Sequence, residues 1–156
     1  LETIKSLNGY IDIYLPDLKY FDDDVAIKYS NAKDYFNTAS LAISEMVKQV
    51  GQAKFDEHGM MKKGVIVRHL IIPGQILQTK RILNWIKQNL PKDTYISIMA
   101  QYFPTYKAKD FPEINHKITK QEYNFVTSML KDFENGYIQE LGEHEEEYVP
   151  NWQMND

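Results

Sequence analysis

The 156-residue sequence contains no cysteine. This absence excludes disulfide bonds, thiolate catalysis and thiolate metal ligands within the chain. Basic residues are not in excess either: 18 Lys and Arg stand against 22 Asp and Glu, and the formal charge of −4 argues against a nucleic-acid surface. No apolar run approaches the roughly 20 residues that a membrane-spanning helix needs, and no leader pattern opens the chain. We therefore predict a soluble, cytoplasmic protein that binds neither nucleic acid nor a membrane.

The residues that are present have a globular composition. Hydrophobic residues make up 43% and charged residues 26%, and the aromatic fraction of 13% owes much to eleven tyrosines. A chain of this length fits one domain, over 1–156, with an ordinary core. The first residue is Leu1 rather than Met, and residues 1–9 look like the tail of a helix. We expect that the sequence begins in mid-protein.

Strand-like and helix-like segments alternate along the chain. We predict helices over 1–7, 22–29, 37–50, 77–90 and 119–133, strands over 10–15, 65–72 and 94–100, a hairpin over 54–63 and a loop over 105–117. Strands that alternate with crossover helices indicate a parallel α/β sheet, either open or part of a barrel. We therefore predict three parallel strands with crossover helices and a small hairpin insertion. Such a piece leaves two edges open, which favours closure by a partner or self-association.

Two acidic runs have competing interpretations. Asp22, Asp23 and Asp24 suit the positive end of a short helix, and a divalent-ion site is the alternative. The second run lies within an acidic segment over 137–156, which we interpret as a solvated tail beyond a helix-terminating Gly136. Docking of this tail to a basic partner is the alternative.

Opposite charges follow the first predicted strand at Asp17 and Lys19. Residues i and i+2 of an extended segment point to the same side, so a carboxylate and an ammonium would face one ligand together. The carboxyl ends of strands joined by helices form the face where ligands bind. The pair therefore suits a polar, zwitterionic small molecule. A local ion pair at a strand end is the alternative, since exposed pairs are common and contribute little.

Arg68 interrupts a strand that is otherwise apolar and β-branched, a composition typical of strands covered on both faces. A buried charge is costly unless it is paired, so Arg68 points into a polar cavity, meets a carboxylate or occupies an edge. His69 alternates to the other face, and we interpret it as a hydrogen-bonded structural group. Gln101 and Tyr102 follow the third strand. We expect Gln101 to lie around one concavity with Arg68 and the first strand's two charges.

Three segments together carry a resemblance: Asp17-Leu-Lys19, Val67-Arg68-His-Leu-Ile-Ile-Pro73-Gly74 and Met99-Ala-Gln-Tyr102. In this combination and order the chain resembles the C-terminal half of radical S-adenosylmethionine proteins. More narrowly, it is similar to the family related to pyruvate formate-lyase activating enzyme. The resemblance covers nearly the whole chain, to about Leu130.

The resemblance implies a partial (β/α) barrel that holds a 4Fe–4S cluster on a three-cysteine loop and binds S-adenosylmethionine at the open iron. Reduction then cleaves the cofactor to a deoxyadenosyl radical. It also implies that Asp17 and Lys19 reach the cofactor, that Arg68 contributes to the cofactor or substrate pocket, and that Gln101 and Tyr102 lie at the cofactor. The partners would be the missing N-terminal half of the barrel and a glycyl radical enzyme or another protein or small substrate.

The sequence departs from that family pattern in two ways. Phe103 stands where the activating enzyme has a cofactor-contacting histidine, and the cluster ligands and the Gly-Gly-Glu segment of the first half are absent. We therefore expect the chain alone to be inactive. The competing hypothesis is a non-catalytic α/β binding or interaction domain in which the charges merely pair. A third, weaker one is another (β/α) barrel enzyme that uses Asp17 and Lys19 in acid–base chemistry.

Overall fold

A computed structural model describes residues 1–141 of the chain, so most of the acidic segment predicted over 137–156 lies outside the described residues. Five helices and five strands occupy this part. The helices are α1 Glu2–Ser6, α2 Asp23–Ser30, α3 Tyr35–Val50, α4 Ile76–Asn89 and α5 Lys120–Leu130. The strands are β1 Ile13–Tyr14, β2 Lys54–Phe55, β3 Met61–Leu70, β4 Tyr95–Met99 and β5 Gly136–Ile138. None of the described helices is long and apolar enough to cross a membrane.

The strands form a parallel sheet in the order β1-β3-β4-β5, and β2 pairs antiparallel with the start of β3. The protein is thus an α/β protein with crossover helices between parallel strands, and the hairpin is present as predicted. The described residues form four parallel strands, whereas three were predicted. Gly136 opens β5 instead of ending a helix, and Tyr137 and Ile138 belong to the sheet instead of the acidic tail.

Local signals explain two of the helix boundaries. Thr119 and Glu122 form the predicted capping box at the start of α5, with both reciprocal hydrogen bonds present. Gly51 ends α3 with a φ of +68°. The predicted start of α3 at residue 37 was wrong. The helix begins at Tyr35, and Asp34 is its N-cap residue. Within the predicted loop over 105–117, Tyr106–Asp110 forms a 3-10 helix.

The helices α3, α4 and α5 cover the same face of the sheet. Side chains from α3, α4 and α5 share one core cluster with alternate residues of β3 and β4: Ile43, Val50, Ile82, Leu83, Ile86, Val126, Leu130, Val65, Val67, Ile96 and Ile98. The intervening residues Ile66, Leu70, Tyr95 and Met99 remain half-buried and lie outside that core. The expectation that β3 is covered on both faces was therefore wrong for residues 1–141. We call the uncovered side of the sheet the bare face.

Burial in the β1 segment does not follow its apolar residues, which are Ile11, Ile13 and Leu15 in alternation with Asp12 and Tyr14. Tyr14, which sits among polar alternates in the sequence, lies on the helix-covered face, is buried, and donates a hydrogen bond of 2.8 Å to Gln49. Leu15 lies on the bare face and is 51% exposed. Apolar alternation along a strand therefore does not decide which face the helices cover.

Candidate functional site

One row of side chains crosses the bare face near the carboxyl ends of the strands. The parallel register places Asp17 beside Arg68, Arg68 beside Ser97, and Ser97 beside Tyr137. Partners in a parallel register project from the same face of a sheet. The row therefore contains two charged groups, a hydroxyl and a phenol, all on the side that the helices leave open.

Asp17 and Arg68 form an ion pair on this face. Arg68 Nε donates to Asp17 Oδ1 at 2.7 Å, and the side chains are 35% exposed for Asp17 and 40% for Arg68. Arg68 therefore meets a carboxylate, which is one of the alternatives that we considered for it. The backbone explains the encounter, because Arg68 N donates to Pro16 O and Leu18 N donates to Arg68 O, which extends the β1–β3 pairing past the end of β1.

The pair leaves capacity for a further ligand. Within residues 1–141, hydrogen bonds engage the Nε of Arg68 and none engages its Nη groups. A guanidinium carries five N–H donors in a planar fork, so its remaining donors could bind a carboxylate or phosphate. An exposed pair of this kind stabilises the fold by at most about 1 kcal/mol.

Lys19 lies two residues beyond Asp17. Its side chain is half-buried, and it forms no ion pair with Asp17 or with any other carboxylate among the described residues. The local pairing of Asp17 with Lys19 that we considered is thus replaced by pairing of Asp17 with Arg68. Lys19 N–H donates to the hydroxyl of Tyr35 at 2.9 Å.

Gln101 and Tyr102 follow β4, and the structure does not join them to the ion pair. Gln101 is exposed and makes no hydrogen bond to Asp17, Lys19 or Arg68 within the described part of the chain. Tyr102 is half-buried, and burial raises the pKa of its hydroxyl. Their assignment to a cofactor stays a prediction.

Tyr102 instead lines a separate cavity of about 170 Å³ at the carboxyl end of the sheet. Its walls include Tyr20, Tyr29, Ile72 and Phe111, and neither Asp17 nor Arg68 lines it. Tyr29 donates to Glu113 at 2.8 Å, and the Lys28 ammonium together with this hydrogen bond lowers the pKa of Glu113 to about 2. Residues that follow β1, β3 and β4, namely Tyr20, Ile72 and Tyr102, therefore share one aromatic cavity.

His69 lies on the covered face and is 1% exposed. Its Nδ1 is 2.6 Å from Leu18 O and its Nε2 is 2.9 Å from Thr79 Oγ1. Because a carbonyl oxygen only accepts, Nδ1 carries the proton and Nε2 accepts from the threonine hydroxyl. Burial lowers the pKa of His69 to about 4, so the ring is neutral near pH 7. This agrees with the structural role predicted for it.

The lower half of the bare face carries an aromatic row. The rings of Phe55 and Tyr95 are 5.3 Å apart between centroids, and Tyr95 and Tyr137 stack at 6.1 Å. Phe55 comes from the hairpin, so the insertion contributes to this face. Tyr137 belongs to both rows, so the aromatic row borders the row that contains the ion pair.

The three adjacent aspartates lie at the start of α2, as predicted. Asp22 is the N-cap residue and Asp23 and Asp24 occupy the first turn. The Asp22 carboxylate pairs with Arg81 at 2.6 Å and accepts from Gln78 Nε2 at 2.7 Å. No group of three or more potential metal ligands occurs within residues 1–141.

Comparison with known proteins identifies a longer relative. Over 135 residues the chain is 32% identical to "Uncharacterized protein MJ0674" of Methanocaldococcus jannaschii. The match covers 85% of this chain and 35% of that protein, so the chain spans about a third of its relative. No protein-family model and no solved structure matches the sequence. The class that the fold defines is an α/β protein with a one-sided parallel sheet, and the relative's printed name adds no activity to it.

Proposed function

We propose that this chain forms one wall of a partial (β/α) barrel in a radical S-adenosylmethionine protein that resembles pyruvate formate-lyase activating enzyme. The observation that carries the proposal is the bare face, a parallel sheet covered by helices on one side whose open side holds the Asp17 and Arg68 ion pair at the strand ends. In a (β/α) barrel, helices cover the outside and the strand ends around the lumen carry the chemistry.

Two physical arguments support closure of the sheet by further strands. Parallel sheets occur almost only with both faces covered, as in doubly wound folds, or closed around a lumen. Here β1 and β5 also end the strand order, and open edges carry unpaired backbone groups. Further strands from the rest of the polypeptide would satisfy both requirements. A relative of which this chain spans about a third has the length to provide them.

The charges on the bare face fit a zwitterionic cofactor. S-adenosylmethionine carries an ammonium and a carboxylate on its methionine part. The Asp17 carboxylate would hold the ammonium, and the Lys19 ammonium and the unengaged Nη groups of Arg68 would hold the carboxylate. Gln101 and Tyr102 would border the cofactor from β4.

The iron–sulfur cluster does not fit this chain by itself. Cluster iron is held mainly by cysteine thiolates, and the sequence has none. The cluster would belong to the rest of the intact protein, where it supplies the electron for reductive cleavage of the cofactor. The full-length protein that contains this chain should therefore carry a CxxxCxxC segment ahead of Leu1.

The test is cofactor binding by the full-length protein with Asp17→Ala or Lys19→Ala. Losing a charge-assisted contact costs roughly 1.5–3 kcal/mol, so the dissociation constant for S-adenosylmethionine should rise at least about tenfold, with slower release of deoxyadenosine. Lys19→Ala should change the free energy of unfolding by no more than about 0.5 kcal/mol.

Asp132→Ala and Lys87→Ala are matched controls, because these residues form an exposed pair of 2.8 Å on the helix side of the sheet. Both controls should bind the cofactor as the wild type does. Unchanged affinity and cleavage in the Asp17 and Lys19 variants would reject their cofactor role. The second candidate, a non-catalytic binding domain, would then be favoured, since Asp17 and Arg68 already form an ion pair with each other.

A further inference from the structure

The segment over 17–22 leaves the sheet with few ladder hydrogen bonds of its own. Leu18 N donates to Arg68 O at 2.9 Å, and no later residue of this segment pairs with β3. Backbone polar groups beside a core require partners, because an unpaired buried group costs as much as a lost hydrogen bond. The backbone of the charged triplet 17–19 therefore depends on contacts from elsewhere in the chain.

Three side chains from three different elements supply those contacts. Tyr35, at the start of α3, donates through its hydroxyl to Asp17 O at 3.2 Å and accepts from Lys19 N at 2.9 Å. His69 on β3 donates to Leu18 O at 2.6 Å. Gln78 on α4 accepts through Oε1 from Phe21 N at 2.8 Å and from Asp22 N at 2.9 Å. We call Tyr35, His69 and Gln78 the strand-exit clamp.

The clamp is built into the core rather than formed by mobile surface groups. His69 and Gln78 are buried, and His69 is held in turn by Thr79. Tyr35 packs edge-on against Tyr20 with ring centroids 5.4 Å apart. Burial raises the pKa of Tyr35, so its hydroxyl keeps the proton that it donates. The clamp contacts Asp17 and Lys19 only through backbone atoms, so it leaves the Asp17 carboxylate to its pair with Arg68 and does not engage the Lys19 ammonium.

We infer that Tyr35 is a positioning residue that sets the spacing and direction of the Asp17 carboxylate and the Lys19 ammonium for an ionic ligand. The inference rests on the proposed function for the identity of that ligand. One hydroxyl joins the carbonyl of residue 17 to the amide of residue 19, so it fixes the turn of the backbone between the two charged side chains. Binding groups need placement within about 0.5 Å, and a rigid backbone provides it.

The test compares Tyr35→Phe with Tyr14→Phe in the full-length protein. Both variants lose one hydroxyl and keep the ring, and within residues 1–141 the Tyr14 hydroxyl bonds Gln49 on the helix-covered face, opposite to the ion pair. Tyr35→Phe should raise the dissociation constant for S-adenosylmethionine about tenfold. It should also accelerate hydrogen exchange in peptides that contain the Lys19 amide, whereas Tyr14→Phe should leave both quantities unchanged.

The two readouts separate the inference from the function on which it rests. If the wild-type protein does not bind S-adenosylmethionine, the proposed function fails, and hydrogen exchange still tests the clamp. Equal exchange at residues 17–19 in Tyr35→Phe and the wild type would overturn the clamp. Faster hydrogen exchange at residues 17–19 in Tyr35→Phe, together with unchanged cofactor affinity, would overturn the positioning role. A loss of affinity equal in both tyrosine variants would show a general structural effect and also reject it.

Discussion

His69 shows why a histidine is useful inside this core. Its two ring nitrogens join the backbone carbonyl of Leu18 at the strand exit to the hydroxyl of Thr79 on α4. A buried polar group is tolerated when it is fully hydrogen-bonded, and the neutral ring satisfies both partners at once. Protonation would remove the acceptor at Nε2 and place a charge in a site from which water is excluded.

This arrangement makes the stability depend on pH in a defined window. The folded pKa of His69, about 4, lies below the unfolded value of 6.5, so the unfolded state binds the proton more readily. Stability from the neutral ring is therefore present above about pH 6.5 and is lost as the pH falls toward 4. We expect a loss of about 2 kcal/mol between about pH 7 and pH 5 from this group.

Denaturant unfolding of the wild type, His69→Gln and His58→Gln across this range measures the effect. His58 is exposed and serves as the matched control. His69→Gln should be less stable at neutral pH with a shallower pH dependence, and His58→Gln should follow the wild type. A slope in His69→Gln as steep as that of the wild type would contradict the assignment.

The turn that ends β3 links three elements through Gly74. Gly74 has a φ of +71°, and its N–H donates to Glu122 Oε1 of α5 at 2.7 Å. An added Cβ would lie 2.6 Å from the carbonyl oxygen of Glu113, in the segment that follows β4. The Pro-Gly end of the strand therefore provides both a left-handed turn and a close backbone approach.

Gly74→Ala should destabilise the protein more than Gly59→Ala does. Gly59 has a φ of +75° with no atom near the position of a new Cβ, so it reports the cost of the left-handed backbone alone, about 1 kcal/mol. The clash at Gly74 should add roughly 1–3 kcal/mol. Denaturant midpoints of the two variants give the comparison. Equal losses of stability would mean that the backbone at Glu113 moves aside without a measurable energetic cost.

The molecule described over residues 1–141 exposes one face of its sheet. Leu15 and Tyr137 on that face are 51% and 58% exposed. The edges formed by β1 and β5 flank the same surface. A sheet face with exposed apolar side chains between open parallel edges is a surface that proteins usually cover, because it exposes apolar area and unpaired backbone groups together.

We therefore expect the isolated chain to self-associate. Light scattering over a concentration series should show an average mass that rises with concentration. Leu15→Glu should weaken the affinity of self-association several-fold. Leu41→Glu is the control, since Leu41 is 49% exposed but lies on α3. A monomer at all concentrations, with edge amides protected from exchange, would show that the piece is self-sufficient.

Much of the architecture follows from local patterns in the sequence. Alternation of apolar segments with capped helices predicts the order of strands and helices, and the Thr119 to Glu122 capping box and the Gly51 stop define helix ends. These signals are readable because they act within one or two turns of the chain. The position of Asp17 after β1 can also be read locally, from the end of the strand. The location of His69 and Arg68 on opposite faces follows from the two-residue period of a strand.

The partners and the uncovered face depend on tertiary structure. β5 has three residues, too few for a periodic pattern, and it forms because β4 offers an edge. The composition of residues 65–72 is apolar enough for a strand with both faces covered. Within residues 1–141, however, no helix packs on the second face. Asp17 meets Arg68 across 51 positions, and Tyr35 reaches the same strand exit from α3. Contacts between residues so far apart leave no local pattern, since only chain packing brings their atoms together.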